Sequence, residues 1–582
     1  MCGIFFSLSP SHPVLPTDET CSLLRKRGPD SFQIHTVQHT TNDLNRSQTY
    51  HLTFISTVLS LRGDHVYRQP LIDPTSKSVL CWNGEAWKVA GEPVEDNDTE
   101  LVFKMFLEAV KPSPSATGQT DTTDRRNAVY RFEDAISSIS GPFSFVFYDA
   151  INSKLFFSRD CLGRRSLLQG FDETGSLKVC SLRDGDNPFE EVSTMGLHMI
   201  DLNADDASSN TYSIETLPWN YGDPTVYLRS PIPPMNKALP RDNPTRLTVE
   251  SACVKDLEMR LRQALELRIN DIPEPPNYTR MHDAKIAVLF SGGLDCTLLA
   301  RLSHEILPSD ETIDLLNVAF ENPRVVAAAS KNKTSTSAYE NCPDRITGRA
   351  SFAELQKVCP GRNWRFVAID IPYSETTAHR NEVKRLMKPH NTEMDLSIAC
   401  ALYFASRGQG VAFESRAEED KPVPYVSSTR VLLSGLGADE LFAGYGRHGI
   451  AYSRNGFEGL IDEINLDVSR LGYRNLGRDD RVITHWGREA RYPFIDEEFV
   501  AWVLQAPVWE KCGFGACKPA GHDKSSVDEI ETGLDAEKMA LRLVALRLGM
   551  SKVAREKKRA IQFGSRTAKM EKGGTKGTDS LT

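Results

Sequence analysis

The second residue of the chain, Cys2, could serve as a nucleophile. If Met1 is removed, Cys2 carries both a thiol and a free α-amine, and such an amine has a pKa of about 7.7–8, close to working pH. The amine can then act as the base that takes the proton of its own thiol. The alternative is that Cys2 is an inert cysteine near the start of the chain, as most free cysteines are.

Three short segments offer the groups that a free amino acid needs for binding: residues 27–30 (RGPD), 82–85 (WNGE) and 98–100 (DTE). Each could also be an ordinary turn or helix start, because Asn-Gly pairs favour turns and Asp favours the beginnings of helices. Taken together, an arginine can bind a carboxylate, an aspartate can bind an α-ammonium group, and an asparagine amide with a glycine N–H can bind an oxyanion. The set therefore favours an amino-acid site that includes Cys2.

A second group of residues could bind phosphate. Residues 291–296 (SGGLDC) form a glycine-rich turn between an apolar strand at 284–290 (AKIAVLF) and a helix at 297–307. The glycines let the backbone approach an anion, and the helix start offers unpaired N–H groups. A helix-capping turn would look similar. The sequence contains no GxxxxGK[ST] motif, and Glu440 stands where a dinucleotide fingerprint through residues 435–437 (GLG) would need a third glycine.

These motifs occur in the order found in one family. Residues 1–4 (MCGI), 27–30, 82–85 and 98–100 resemble the glutamine amidotransferase domain of asparagine synthetases. The SGGLDC turn resembles the pyrophosphate loop of ATP pyrophosphatases. Residues 433–445 (LSGLGADELFAGY) and 489–496 (EARYPFID) resemble two further asparagine synthetase segments. The resemblance covers nearly the whole chain and is strongest to a divergent branch of the asparagine synthetase family.

The resemblance implies a role for each residue of the first site. Cys2 would attack the carboxamide of glutamine and free ammonia, and Asn83 and Gly84 would form the oxyanion hole. The glutamine itself would be held by Arg62 through its carboxylate and by Glu85 and Asp98 at its amino end.

At the second site the resemblance implies that ATP is split between its α and β phosphates to adenylate a carboxylate, most plausibly that of aspartate. ATP and Mg²⁺ are the expected cofactors, with Asp295 and Asp439 as the metal ligands. The residues expected to contact ATP or its pyrophosphate are Val288, Leu289, Ser291, Gly292, Gly293, Asp295, Cys296, Val318, Ser434, Gly435 and Lys558.

Two positions depart from the family pattern. Asparagine synthetases usually carry Glu between the two glycines of the second landmark, where this chain has Leu436, which cannot accept a proton. They also place a Lys three residues before a Phe, whereas Ala560 precedes Phe563 here, with Lys558 and Arg559 nearby. Three hypotheses follow: an asparagine-forming amidotransferase, a sensor or scaffold that binds nucleotide or glutamine, and an enzyme with another acceptor or one that thiolates a nucleobase.

The hydrophobic pattern predicts two domains that position these residues. Short apolar runs at 58–61, 79–82, 143–148 and 155–159 predict strands, residues 98–110 a helix, and residues 111–127 a loop. After residue 284 the strands at 313–320, 366–371 and 431–433 alternate with helices, which favours a parallel sheet. The fold class is α/β, and the resemblance implies an N-terminal Ntn-type α/β/β/α sandwich followed by a doubly wound, parallel-sheet ATP-pyrophosphatase domain of the adenine nucleotide alpha hydrolase type.

The predicted boundaries follow changes in composition. They are an amidotransferase domain at 1–215, a proline-rich linker at 216–250, a synthetase domain at 251–568 that begins with a helix at 251–269, and a disordered tail at 569–582. The expected partners are glutamine, ATP and a carboxylate acceptor, and a homodimer is left open.

Composition limits the function further. The chain has 582 residues, of which 69 are Lys or Arg and 78 are Asp or Glu, so its formal net charge is −9. An acidic balance argues against nucleic-acid binding as the main function, because a phosphate backbone needs a basic surface. No run approaches the roughly 18 consecutive apolar residues of a membrane-spanning helix. The 12 cysteines are scattered without CxxC pairs, which favours a reduced, cytoplasmic setting.

Overall fold

The computed structural model describes residues 2–43, 46–112, 122–203, 213–279, 282–331, 337–414, 422–516, 531, 533–570 and 576–581. Contacts divide the chain into two units. The N-terminal unit comprises Met1–Pro233 together with Arg385–His390 and Leu471–Arg488, and the C-terminal unit comprises the rest. Two short segments from the second half of the sequence therefore belong to the unit that contains Cys2.

Fifteen of the described strands lie in the first 220 residues, and seven follow residue 283. They are β1 (Gly3–Ser9), β2 (Ser31–Asp43), β3 (Arg46–Val58), β4 (Leu71–Ile72), β5 (Val79–Gly84), β6 (Lys88–Val89), β7 (Glu92–Pro93), β8 (Ile139–Ser140), β9 (Phe143–Asp149), β10 (Lys154–Arg159), β11 (Leu168–Phe171), β12 (Leu177–Cys180), β13 (Phe189–Glu191), β14 (Gly196–Asp201), β15 (Glu215–Pro218), β16 (Ala284–Leu289), β17 (Thr312–Phe320), β18 (Trp364–Ile371), β19 (Gln409–Glu414), β20 (Val423–Val426), β21 (Val431–Leu433) and β22 (Glu489–Arg491).

The described helices are concentrated after residue 250. They are α1 (Asp18–Arg27), α2 (Asp98–Val110), α3 (Thr122–Ser137), α4 (Ala252–Ile269), α5 (Leu294–Ile306), α6 (Pro323–Lys331), α7 (Pro343–Val358), α8 (Tyr373–Met387), α9 (Glu393–Arg407), α10 (Ala438–Leu441), α11 (Gly446–Ser469), α12 (Leu471–Arg474), α13 (Leu476–Thr484), α14 (Glu497–Gln505), α15 (Met539–Arg547) and α16 (Ile561–Gly564). None of these described helices is long and apolar enough to cross a membrane.

The N-terminal unit is built from two antiparallel six-stranded sheets, in the orders β13-β11-β12-β1-β3-β2 and β15-β14-β10-β9-β5-β4. Their inner faces pack together through apolar side chains such as Phe6 and Phe157. The other face of the second sheet packs against α2 and α3, where Phe106 and Phe132 meet. Leu24 of α1 packs against the start of β1 on the opposite side of the first sheet, so the layers run helix, sheet, sheet, helix.

The C-terminal unit is built around one seven-stranded sheet in the order β20-β19-β18-β17-β16-β21-β22. The strands from β18 to β22 in this order are parallel, whereas β19 and β20 add to one side in antiparallel fashion. The predicted parallel sheet is therefore confirmed. Parallel strands end at the same edge of a sheet, so the loops after β16 and β21 can meet there.

Most predicted elements lie where the pattern placed them, and the predicted helix at 98–110 matches α2 in full. The strand predicted at 58–61 is wrong, because β3 ends at Val58 and the N–H of Ser60 donates instead to the Asp30 carboxylate at 2.8 Å. The loop predicted at 111–127 is wrong from residue 122, where α3 begins, and its residues 113–121 lie outside the described residues. Within the predicted tail, residues 577, 579 and 581 form backbone hydrogen bonds with residues 391–394.

Lys511 is a buried lysine whose Nζ makes no hydrogen bond among the described residues. Burial lowers the pKa of Lys511 to about 8, although Cys512 and Glu510 oppose the shift. The unfolded chain keeps this proton up to an ordinary lysine pKa of about 10.4. The folded state therefore releases the proton first, and this group raises stability as the pH rises from about 8 to about 10.

We expect Lys511→Met to raise the free energy of unfolding at pH 7 by on the order of 2 kcal/mol, because the buried ammonium is replaced by an apolar side chain of similar length. The gain should shrink towards zero by about pH 10, where wild-type Lys511 is neutral. Urea unfolding of both proteins across this pH range checks the expectation. A stability difference that does not change with pH would contradict it.

Two candidate functional sites

Cys2 lies immediately before β1 and is anchored through its backbone. Its N–H donates to Asn83 Oδ1 at 2.9 Å, and its carbonyl oxygen accepts from Arg27 Nε at 2.8 Å. Gln69 Nε2 lies 3.8 Å from the Cys2 sulfur and donates towards it. Asn83 was predicted for this site, but Gln69 was not, because no motif marks it in the sequence. Three side chains, those of Asn83, Arg27 and Gln69, therefore form hydrogen bonds with Cys2.

The Cys2 thiol is buried and uncharged. Burial is the main reason that the pKa of the Cys2 thiol is raised, and the negative charges of Asp98 and Glu85 act in the same direction. A thiol with a raised pKa stays protonated at neutral pH, and only the thiolate is a strong nucleophile. Attack by Cys2 therefore requires a base that removes the thiol proton during the reaction.

Asp98 and Arg62 are both tied to the backbone beside Cys2. Asp98 Oδ2 accepts from Trp82 Nε1 at 3.0 Å and from the Ala86 N–H at 2.9 Å. Burial raises the pKa of Asp98, while the positive charge of Arg62 opposes the shift. Arg62 donates to the carbonyl oxygen of Ala86 at 2.9 Å and to that of Val94, so its guanidinium group has one fixed orientation.

The structure brings the residues predicted for the first site together in the N-terminal unit. Arg62 Nε lies 3.7 Å from Glu85 Oε2. Gly84 ends β5, and a Cβ atom there would overlap the carbonyl oxygen of Pro142, so no side chain fits. We call this group the Cys2 site, and its members are Cys2, Arg62, Asn83, Gly84, Glu85 and Asp98.

Helix α7 packs against the turn after β16 and forms hydrogen bonds with it. Gly292 has a φ of +79°, and a Cβ atom there would overlap the backbone of Thr347 and Gly348, so only glycine fits. Thr347 Oγ1 donates to the Ser291 carbonyl oxygen at 2.9 Å, and Ser351 Oγ donates to that of Gly292 at 2.6 Å. These bonds fix two carbonyl oxygens of the turn, which leads directly into the start of α5, and helix starts can bind anions.

Lys538 joins the two carboxylates that were predicted to hold a metal. Its Nζ lies 2.7 Å from Asp295 Oδ2 and 2.7 Å from Asp439 Oδ1, and its side chain is only 3% exposed. Lys558, which was predicted here, forms an ion pair with the other oxygen of Asp439. Sequence reasoning missed Lys538, because it follows Asp295 by 243 residues and lies in no recognisable motif.

Asp439 and Lys538 favour each other's charged forms. Burial opposes ionisation, but the ammonium groups of Lys538 and Lys558 hold the pKa of Asp439 well below its usual range. Burial likewise disfavours the charged form of Lys538, yet Asp295 and Asp439 raise the pKa of Lys538 above that of an ordinary lysine. Two carboxylates and two ammonium groups therefore stand together beside the turn.

The predicted phosphate residues meet at this place in the C-terminal unit. A Cβ atom at Gly435 would lie 2.8 Å from Asp295 Cβ, which shows how closely the loop after β21 approaches the turn after β16. Cys296 Sγ lies 3.5 Å from Ser291 Oγ. We call this group the phosphate-loop site, and its members are Ser291, Gly292, Gly293, Asp295, Cys296, Ser434, Gly435, Asp439, Lys538 and Lys558.

The three apolar residues predicted near ATP lie on two adjacent parallel strands. Val288 and Leu289 end β16, and Val318 lies near the end of β17. Val288 is fully buried, between its neighbours Leu315 and Leu433. All three stand at the sheet edge that carries the phosphate-loop site.

The two predicted metal ligands suit a cation that also contacts phosphate. Asp295 Oδ1 is buried and makes no hydrogen bond among the described residues, so it could accept one further partner. Carboxylate oxygens are the ligands that Mg²⁺ prefers, and Mg²⁺ at phosphate sites commonly uses only one or two of them. Within the described ranges, no group of three or more His, Cys, Asp or Glu side chains could hold a metal without such help.

Comparison with known proteins establishes the family. The asparagine synthase profile matches residues 459–574. Asparagine synthetase domain-containing protein 1 of Bos taurus is 33% identical over 99% of this chain and 97% of its own length. The Homo sapiens protein of the same name is 32% identical over 100% of this chain and 97% of its own length. The chain belongs to the asparagine synthetase family.

Other members of the asparagine synthetase family are similar over shorter stretches. A putative glutamine-hydrolysing asparagine synthetase of Methanocaldococcus jannaschii is 37% identical over 24% of this chain and 28% of its own length. Among solved structures, the glutamine phosphoribosylpyrophosphate amidotransferase of B. subtilis aligns with 55% of this chain and 66% of its own, at 13% identity and a TM-score of 0.22. A likeness of that size does not indicate a shared fold.

The two departures from the family pattern lie in or beside the phosphate-loop site. Leu436 is half-buried, and its N–H donates to Ser434 Oγ at 3.3 Å. Ala560 precedes α16, two residues after Lys558. Because Lys558 reaches Asp439, a positive charge is present even though Ala560 carries none. No ionisable side chain stands at position 436.

Proposed function

We propose that the chain is a glutamine-dependent, ATP-hydrolysing amidotransferase that converts a carboxylate, in the first instance that of aspartate, into an amide. The main observation in support of the proposal is that residues from motifs far apart in the sequence lie together at two sites. One set surrounds a buried thiol, and the other set surrounds a glycine-rich turn with two paired carboxylates. Membership of the asparagine synthetase family supports the same reaction.

In the first half-reaction, Cys2 frees ammonia from glutamine. After removal of Met1, the α-amine of Cys2 would take the place of the N–H that now donates to Asn83 Oδ1 at 2.9 Å. The amine takes the thiol proton, and the sulfur attacks the carboxamide carbon. The proton passes to the leaving nitrogen, ammonia departs, and water then hydrolyses the thioester to glutamate. The N–H of Gly84 and the amide of Asn83 suit the oxyanion.

In the second half-reaction, ATP activates the acceptor. An acceptor carboxylate oxygen attacks the α-phosphorus, and pyrophosphate leaves. Ammonia then attacks the acyl carbon, AMP departs with the bonding electrons, and one proton is lost. Lys538 and Lys558 would neutralise the phosphates, and the N–H groups of the turn would orient them. Mg²⁺, held by Asp295 and Asp439, would add positive charge at the phosphates.

A second candidate function is binding without amide formation, as a sensor or scaffold. The observation that favours it is Leu436, which cannot move a proton for the attacking ammonia. The charged groups at the phosphate-loop site favour the enzyme instead, because Lys558 provides a cation that Ala560 cannot. The two functions differ in the products that form from ATP.

The experiment that tests the proposal separates those products. We expect ATP, glutamine and aspartate, incubated with the protein, to yield AMP and pyrophosphate in equal amounts, measured by chromatography. Nucleotide binding without AMP would favour the scaffold. AMP formation only with a different carboxylate in place of aspartate would support the third hypothesis.

A glycine pair provides a matched structural control for this assay. A Cβ atom at Gly444 would overlap Asp439 Oδ1 and Lys538 Cε, whereas one at Gly446 would meet no atom within 4 Å. We expect Gly444→Ala to lower AMP formation by about 100-fold, because it displaces charged groups that must be held in place. Gly446→Ala should retain wild-type activity. Equal activities of the two variants would show that the Asp439–Lys538 arrangement is not needed.

A further inference from the structure

Arg27 links the backbone of Cys2 to helix α13. Its Nε donates to the Cys2 carbonyl oxygen at 2.8 Å, Nη1 donates to Thr484 Oγ1 at 2.6 Å, and Nη2 donates to Asp480 Oδ2 at 2.6 Å. Asp480 is 453 residues away from Arg27 in the sequence, yet both belong to the N-terminal unit. The guanidinium group of Arg27 is therefore used to hold the chain start and is not available to bind glutamine.

The partners of Arg27 are themselves fixed. The side chains of Arg27 and Asp480 are each 1% exposed, so their ion pair is shielded from water. Asp480 Oδ2 also accepts from the N–H of Ser166 at 3.1 Å. Thr484 Oγ1 donates to the carbonyl oxygen of Asp480 at 2.7 Å, which leaves its lone pairs to accept from Arg27. Arg27 thus has a single orientation set by α13.

We propose that Asp480 and Thr484 are positioning residues for the nucleophile, acting through Arg27. This inference rests on the proposed role of Cys2 in glutamine hydrolysis. Neither residue touches the thiol. They hold the arginine that fixes the Cys2 carbonyl oxygen, and they lie in a helix that the sequence places within the asparagine synthase profile, residues 459–574.

The physical reason is that, once Met1 is removed as proposed above, the reacting residue is the first of the chain. Chain ends fray unless their backbone is tied down. In Cys2 both the thiol and its base belong to that one residue, so any movement of its backbone changes the geometry of both groups at once. Asn83 fixes the nitrogen side and Arg27 fixes the carbonyl side. Loosening Arg27 removes one of these two backbone anchors, and misplacement by about 1 Å can lower a rate by about 100-fold.

The test compares Asp480→Asn and Thr484→Val with matched controls. Asp479 is also buried on α13, but its carboxylate accepts from Arg478, at 2.9 and 2.8 Å, and not from Arg27. We expect Asp480→Asn and Thr484→Val to lower kcat for glutamine hydrolysis by about 10- to 100-fold with little change in KM. Asp479→Asn and Thr484→Ser, which keeps the hydroxyl group, should stay within about threefold of wild type.

Amide hydrogen exchange provides a second measurement that does not depend on activity. Residues 2–8 should exchange faster in Thr484→Val and Asp480→Asn than in Asp479→Asn, while the remaining sheets keep their protection. If wild-type protein shows no glutaminase activity, the proposed function fails, yet faster exchange would still support the anchoring role. Unchanged exchange and unchanged kcat in a folded Thr484→Val protein would overturn the inference, as would equal losses in Asp479→Asn.

Discussion

Replacing Cys2 by alanine is expected to abolish glutamine hydrolysis while leaving ammonia-supported AMP formation near the wild-type rate. The sulfur is the group that attacks the glutamine carboxamide in the proposed first half-reaction, and loss of a catalytic nucleophile typically lowers kcat by about 10⁴-fold or more. The phosphate-loop site uses none of the same residues, so ammonium salts should replace glutamine as the nitrogen source. Glutamate release and AMP release, measured on the same preparation, check both expectations.

Cys21→Ala is the matched control, since Cys21 is a half-buried thiol on α1 that takes no part in the Cys2 site. It should retain both activities. Glutamate release from the Cys2→Ala protein at the rate of the Cys21→Ala protein would show that the nucleophile lies elsewhere. Loss of ammonia-supported AMP formation in Cys2→Ala would show that the two half-reactions cannot be separated in this way.

Lys538→Met is expected to remove ATP cleavage and to destabilise the C-terminal unit. The change leaves the buried carboxylate of Asp439 and the partly buried carboxylate of Asp295 without the ammonium that lies 2.7 Å from each. Breaking a buried ion pair by removing one partner costs about 3–5 kcal/mol, and loss of a charge at a reacting phosphate lowers rates by about 100- to 1,000-fold. AMP release and the free energy of unfolding in urea should both fall.

Lys511→Met removes another buried lysine from the same unit and serves as the control. Lys511 Nζ makes no hydrogen bond among the described residues, so its loss should preserve activity and raise stability. If both variants lose AMP formation equally, the effect of Lys538→Met reflects general disturbance of the unit. AMP formation by a folded Lys538→Met protein at the wild-type rate would remove Lys538 from the proposed site.

Features encoded in short segments could be predicted from the sequence. The glycines of SGGLDC lie between a strand and a helix as expected, because glycines, an apolar run and a helix start are all local signals, but the helix begins at Leu294, three residues before the predicted start. Helix α2 follows from an acidic start and the spacing of its buried residues. Cys2, Asn83 and Asp98 meet as the motif order predicted, although their hydrogen-bond partners were not foreseen.

Contacts between distant residues could not be predicted in this way. Lys538 faces Asp295 across 243 residues, and Asp480 faces Arg27 across 453. The residues that flank Lys538 and Asp480 do not indicate which charged side chain each will contact. The packing of whole elements brings the partners together. The strand prediction at 58–61 failed because the N–H of Ser60 donates to the Asp30 side chain and not to a neighbouring strand.

In the proposed function, nitrogen freed at Cys2 is used where ATP is cleaved. The most direct test supplies glutamine with isotopically labelled amide nitrogen, unlabelled ammonium in the buffer, ATP and aspartate, and follows the label by mass spectrometry. We predict labelled nitrogen in the amide product, one per AMP formed, and no labelled product from the Cys2→Ala protein. A product that carries only unlabelled nitrogen, or AMP that forms without any amide, would contradict it.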